Sequence, residues 1–221
     1  AAGATYSVPA TPLQVRLWNL NEATPDSAWN VAVRFRLAGR LDRETFERAL
    51  QMLTTRHEAL RTSFALHSGA VVEHIAPRVT LPVEWCDLRS LDAEAQTAEV
   101  LHLSKEHARQ TLSLKHAPLL RARVLRLSDK EHILLWNAHS SICDGWSVGL
   151  LSKDLMACYG ELSHGREPAV RNSLDYGDYA VWMDAQRKTA EYEANRSYWK
   201  QRMQGLQVRS LPAAWGTSGT T

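Results

Sequence analysis

Residues 137–151, NAHSSICDGWSVGLL, gather the side chains of this chain best suited to chemistry. His139 offers an imidazole, Ser140 a hydroxyl, Cys143 a thiol and Asp144 a carboxylate, and Gly145 opens a helical pattern. Loops at strand ends, held by a rigid scaffold, are where catalytic groups tend to sit. A covalent role for Ser140 or Cys143 would need an adjacent base and an oxyanion site. Ser140 adjoins His139, but consecutive residues of an extended segment point to opposite sides. No GxSxG elbow is present, and Cys143 reads as a packing residue. A plainer reading also fits. Asp144 caps the helix, its carboxylate serving unpaired amides and the positive end of the helix dipole, and His139 is incidental.

The elements that must hold this loop can be read from periodicity. HILLWNA, residues 132–138, is apolar without alternation, which is the signature of a strand buried on both faces. Gly145 to Tyr159 has helical spacing, with Val148, Leu151, Leu155 and Cys158 on one face. Upstream, residues 11–20 read as a short helix, and 29–37 as a half-buried strand with Val31, Val33, Phe35 and Leu37 inward. Asp42 caps a helix running to about His57, with Phe46, Leu50 and Leu53 on one side. Leu60 to Leu66 and Val71 to Ile75, joined at Ser68-Gly69, read as a strand pair. A short strand at 82–86, a polar helix at 91–110, a strand from Leu119 to Leu127, a loop over 160–171 and helices near 174–187 and 190–204 complete the pass. The tail, LPAAWGTSGTT, has linker composition. The mix points to a mixed α/β sandwich.

Composition excludes several classes. Hydrophobic residues make up 44% of the 221, enough for a sizeable core and too many for a disordered chain. The net charge is +2 and no Lys/Arg cluster stands out, so a nucleic-acid footprint is not expected. Cys86, Cys143 and Cys158 form neither a disulfide framework nor a zinc signature, and no metal site is expected. No apolar run approaches the roughly 20 residues that span a bilayer, and Ala1 to Pro9 lacks the pattern of a signal peptide. A reducing, cytoplasmic setting is the expectation.

Four stretches, in order, resemble motifs of the condensation domains of nonribosomal peptide synthetases. PLQVRLWNL (12–20) resembles their opening motif, and RHEALRTSF (56–64) matches RHExLRTxF nearly letter for letter. NAHSSICDGW resembles HHxxxDG, and YGDYAVW (176–182) resembles YxDYAxW. YWKQRMQGL (198–206) is also typical of the family. The resemblance covers almost the whole chain and implies a chloramphenicol acetyltransferase-like fold, with two similar lobes in a V around a tunnel. Here residues 1–210 would be the N-terminal lobe and 211–221 a linker or tail. The motifs of the second lobe are absent from this sequence.

The resemblance implies amide-bond formation. The amine of a carrier-bound acceptor attacks the thioester of a carrier-bound donor, each on a phosphopantetheine arm, with no cofactor held by the domain itself. Peptidyl or acyl carrier proteins, the second lobe and neighbouring synthetase domains are the implied partners. Carried over by position, Asp144 and Gly145 take the aspartate and glycine of the motif. Arg61 becomes the expected ion-pair partner of Asp144, and His139 supports the loop from within. The second histidine, which faces the reaction centre in the family, is replaced by Ser140. A serine hydroxyl does not accept a proton near neutral pH, and losing a general base costs about 10²–10⁴-fold in rate. Positioning of the amine alone would remain. Three explanations stand beside one another: a natural variant of weak or altered activity, a noncatalytic module that docks carrier proteins or recruits a tailoring enzyme, and an engineered change. A register slip would put His139 in the catalytic role, with one extra residue before Asp144. A standalone coenzyme A-dependent acyltransferase of the same fold is a further class, and the serine counts against it equally.

Overall fold

The structure is a computed structural model that describes residues 4–24, 28–169 and 174–207. The chain divides into two compact units, Ala1–Met183 and Asp184–Thr221.

The first unit contains two sheets. In the larger, strands β2 (Asn30–Ala38), β7 (Glu131–His139), β6 (Leu120–Ser128) and β5 (Val83–Asp87) lie side by side in that order. β2, β7 and β6 pair antiparallel, whereas β5 runs parallel to β6. A parallel pair needs a long crossover, and helix α3 (Ala93–Arg109) supplies it. The smaller sheet has the order β1 (Tyr6–Pro9), β4 (Ala70–Ile75), β3 (Thr62–His67), all antiparallel.

Helices cover both faces of the larger sheet. On one, α2 (Arg43–Arg56) and α4 (Gly145–Ser163) bury Phe46, Leu50, Leu53, Val148, Leu151 and Leu155 against Val124, Leu134 and Trp136. Each fully buried large side chain contributes about 1.5–3 kcal/mol. On the other, Val100 and Leu103 of α3 pack on Leu125, Ile133 and Leu135. Strand β7 therefore has helices on both sides and is buried along almost its whole length, as its unbroken apolar run required.

Helix α1 (Pro12–Ala23) starts at a capping box in which Thr11 and Gln14 serve one another. A 3-10 turn, Glu58–Arg61, joins α2 to β3, so Leu60 and Arg61 precede the strand expected to begin at Leu60. Helix α5 spans Tyr176–Gln186, and Ala180 packs with Val8 and Ile75. Gly177 suits that close packing: a Cβ at this position would meet Ile75 Cδ1 at 3.1 Å, so Ile75 would have to give by a few tenths of an ångström. In the second unit, α6 (Ala190–Arg202) is capped by Thr189, whose hydroxyl accepts from the Tyr192 amide at 3.2 Å.

The expected elements are all present within a few residues of their anticipated bounds. Two readings are corrected. Strand β1, too short to show alternation, was not anticipated. Helix α4 runs to Ser163, because Gly160 lies within it rather than ending it. The expected tail, 211–221, falls outside the described residues.

Candidate active site

The loop after β7 is held from beneath by its histidine. His139 is completely buried. Its Nδ1 accepts from the Ser141 amide at 3.1 Å and lies 2.9 Å from the Ser141 hydroxyl. Nδ1 is thus unprotonated, and a neutral ring carries its proton on Nε2, an atom with no hydrogen-bond partner. Burial pushes the His139 pKa down to about 4. The ring is neutral at ordinary pH and is tied to the Ser141 backbone from within the loop.

Ser140 turns the other way. Its amide and its hydroxyl both donate to the Trp29 carbonyl, at 2.8 and 2.7 Å. The hydroxyl proton is committed to the backbone just ahead of β2. No acidic or basic side chain is hydrogen-bonded to Ser140 among the described residues, so nothing there activates it as a nucleophile. Cys143 is no better placed. Burial, with Asp144 adding like charge, pushes its thiol up to about 12, and a thiol that stays protonated is inert.

Asp144 is the helix cap. Its Oδ1 accepts from the Ser147 amide at 2.7 Å and the Ser147 hydroxyl at 2.6 Å, and these bonds hold its pKa below the usual carboxylate range. The expected ion pair with Arg61 is not formed. The Arg61 guanidinium donates to the Thr54 and Ala76 carbonyls, at 3.2 and 2.6 Å, and faces Glu58 at 3.5 Å. The physical reason is local: the 3-10 turn places Arg61 between the Thr54 carbonyl in the last turn of α2 and the Ala76 carbonyl just after β4, which take up its donors. Arg61 supports the α2–β3 junction rather than the motif loop. Gly145 opens α4, and no neighbour crowds it.

Several residues that shape the site carried no motif signal. The Gln14 side chain, reaching from α1, donates to the Ser141 carbonyl at 3.2 Å. Asn137, inside the apolar run of β7, donates to the His107 carbonyl at 2.7 Å, and Asn30 donates to the Ala108 and Gln110 carbonyls at 3.1 and 2.8 Å. The two amides thus bond the carbonyls at the end of α3. His57 lies 2.9 Å from Asp154 and lines a cleft with Ile142, Ser147 and Tyr176. Trp146, at the first turn of α4, is 80% exposed.

Residues 5–218 match the family model described as Condensation domain. Among curated proteins, the chain is 36% identical over 208 residues to chondramide synthase cmdD of Chondromyces crocatus, covering 93% of this chain and 5% of that protein. It is 34% identical over 200 residues to the phosphinothricin tripeptide synthetase PhsC of Streptomyces viridochromogenes, covering 90% and 18%. Among solved structures, the starter condensation domain of rhizomide synthetase RzmA superposes with a TM-score of 0.81 at 18% identity, over 91% of this chain and 49% of that one. The X-domain in the complex with OxyB from teicoplanin biosynthesis gives 0.79 at 28% identity, over 96% and 46%. The chain therefore spans a small part of these synthetases and about half of these solved domains.

Proposed function

Because this chain belongs to the condensation-domain family, we propose that residues 1–210 form the N-terminal lobe of a condensation domain in a nonribosomal peptide synthetase, one whose amide-forming activity is weak, altered or abolished. The substrates in this reading are a thioester donor and an amine acceptor, each on the phosphopantetheine arm of a carrier protein. The remaining partners are a second lobe and the neighbouring synthetase domains.

The observation that carries the reading is Ser140. In the reaction the acceptor nitrogen attacks the thioester carbonyl, a C–N bond forms, the carrier thiol leaves, and the nitrogen sheds a proton. At position 140 no group takes that proton, since the hydroxyl is itself a donor to the Trp29 carbonyl. His139 is a poor substitute, being fully buried, with its Nδ1 lone pair already taken by the Ser141 amide. What remains is positioning.

A second reading is favoured by a specific finding. A structure of an X-domain in complex with OxyB is 28% identical to this chain over 96% of its length. In that reading the lobe docks a carrier protein or a tailoring enzyme without turnover.

The test uses the intact parent domain with its cognate donor and acceptor carrier proteins, with Ser140 and with Ser140→His. Product rising by about 10²–10⁴-fold in the variant supports a missing base. Equal rates would sink the idea that position 140 governs the chemistry. Carrier binding with no turnover in either protein favours the docking module.

A further inference from the structure

The cleft lined by His57 has a volume of about 140 Å³. Leu60 of the 3-10 turn, Ile142 of the motif loop and Leu150 of α4 make its walls apolar. An apolar cavity of about 150 Å³ admits benzene, so this space matches a single six-membered ring. A charged group would lose solvent there without gaining a partner.

Three side chains bring polar atoms to the cleft. The Ser147 hydroxyl is already committed, donating to Asp144 at 2.6 Å. Tyr176 offers mainly its ring, which stands 5.4 Å from that of Tyr179, while its hydroxyl lies 3.5 Å from Thr11 Oγ1. His57 differs from both. Its Nε2 is 2.9 Å from Asp154 Oδ2, and a carboxylate only accepts, so Nε2 carries the proton of the neutral ring. Asp154, whose side chain is 13% exposed, also faces Arg56 at 3.7 Å, so the carboxylate that orients the imidazole is itself held. Nδ1 is left as an acceptor without a hydrogen-bond partner among the described residues. The imidazole is 28% exposed, so a ligand reaches it without the helices parting.

We propose that this cleft binds a phenol, the ring lying in the apolar space against Tyr176 and the hydroxyl donating to His57 Nδ1. The volume limits the ligand to one ring. The lone pair of Nδ1 calls for a donor, and a phenol hydroxyl is a strong one. The Tyr176 ring favours an aromatic occupant over an aliphatic one, since aromatic pairs gain beyond the area they bury. Binding is read without turnover, so its failure would leave the condensation-domain reading as it stands.

The test titrates phenol, toluene and cyclohexanol into the full chain and follows the amide shifts of Ile142, Ser147 and Leu150 by NMR. Phenol should move them with a dissociation constant on the order of 1 mM, as a ligand of its size allows. Toluene has the same ring without the donor and should bind about five-fold more weakly, the worth of one hydrogen bond. Cyclohexanol, with the hydroxyl but no aromatic face, should also fall behind phenol. His57→Leu should bring phenol down to the level of toluene. Leu150→Trp, at a position 52% exposed, should fill the cleft and abolish binding of all three. Should His57→Leu fail to fold, the ligand series and Leu150→Trp decide. N-acetyltyrosinamide separates the sources: the same shifts would make the occupant a phenolic side chain, and their absence beside a bound phenol would make it a free phenol. Equal affinity for phenol and toluene would reduce His57 and Asp154 to a tie between α2 and α4 and overturn the proposal. No shift with phenol, or binding that survives Leu150→Trp, overturns it as well.

Discussion

Strands β4 and β7 each bury an ionisable side chain, Glu73 and His139, and burial acts on the two in opposite senses. On β7, His139 is a base, so loss of solvent favours its neutral, unprotonated form and carries its pKa down to about 4. On β4, Glu73 is an acid, so the same loss favours its neutral, protonated form and carries its pKa up to about 7. Both prefer to be uncharged, yet only the acid is brought to the edge of ionisation at neutral pH. Of the two, Glu73, which no motif names, is the one whose charge changes nearer neutral pH.

The largest effect is expected from Glu73→Gln above neutral pH. The unfolded chain releases this proton near the ordinary value of 4.5 and the folded chain near 7. Between these values the unfolded state binds fewer protons, so stability falls as pH rises, by about 3 kcal/mol once the carboxyl is ionised. Chemical denaturation at pH 8 should show the variant more stable by that order, with the gain fading below about pH 5.

His139→Asn should reveal the opposite slope. The native histidine binds a proton near 6.5 when unfolded and near 4 when folded, so its contribution is lost as pH falls through that interval. In the native protein the two slopes oppose one another over nearly the same range. Each single variant should expose the other's slope: Glu73→Gln a loss towards acid, His139→Asn a loss towards neutral pH. Asparagine keeps an acceptor for Ser141 and lacks the ring, so its denaturation profile should show an acid-side loss reduced by up to about 3 kcal/mol, less what the missing ring costs in packing. Two unchanged profiles would break the comparison.

Asp144→Ala removes a helix cap and should cost about 1 kcal/mol in thermal or chemical unfolding, without altering either slope. Arg61→Ala should affect the loop least. With its donors on the Thr54 and Ala76 carbonyls, its loss should disturb the end of α2 and leave the amide shifts of residues 139–145 in place. Movement of that loop in Arg61→Ala would restore the coupling to Asp144.

Much of this was legible in the sequence. The unbroken apolar run 132–138 announced a strand covered on both faces, and Asp144 before Gly145 announced a cap, because both signals are local. The alternation Val71, Glu73, Ile75 likewise places Glu73 on the buried face of that strand. The partner of Arg61 was not legible. Motif order implied Asp144, whereas the short turn of Glu58–Arg61 gave the guanidinium nearer acceptors. Neither was the reach of Gln14 to Ser141, or of Asn137 and Asn30 to the end of α3, since these bonds join elements far apart in the chain. Local periodicity sets which face a side chain occupies; only the packed structure sets what it meets there.

The claim on which the functional reading depends is that the motif loop holds no working base. The most direct measurement is the nitrogen-15 shift of the His139 ring between pH 5 and pH 8. A neutral ring with its proton on Nε2 throughout is the expected result, in keeping with a pKa near 4 and an Nδ1 occupied by Ser141. A ring that takes up a proton near its ordinary value of 6.5 would return His139 to the chemistry and contradict the account.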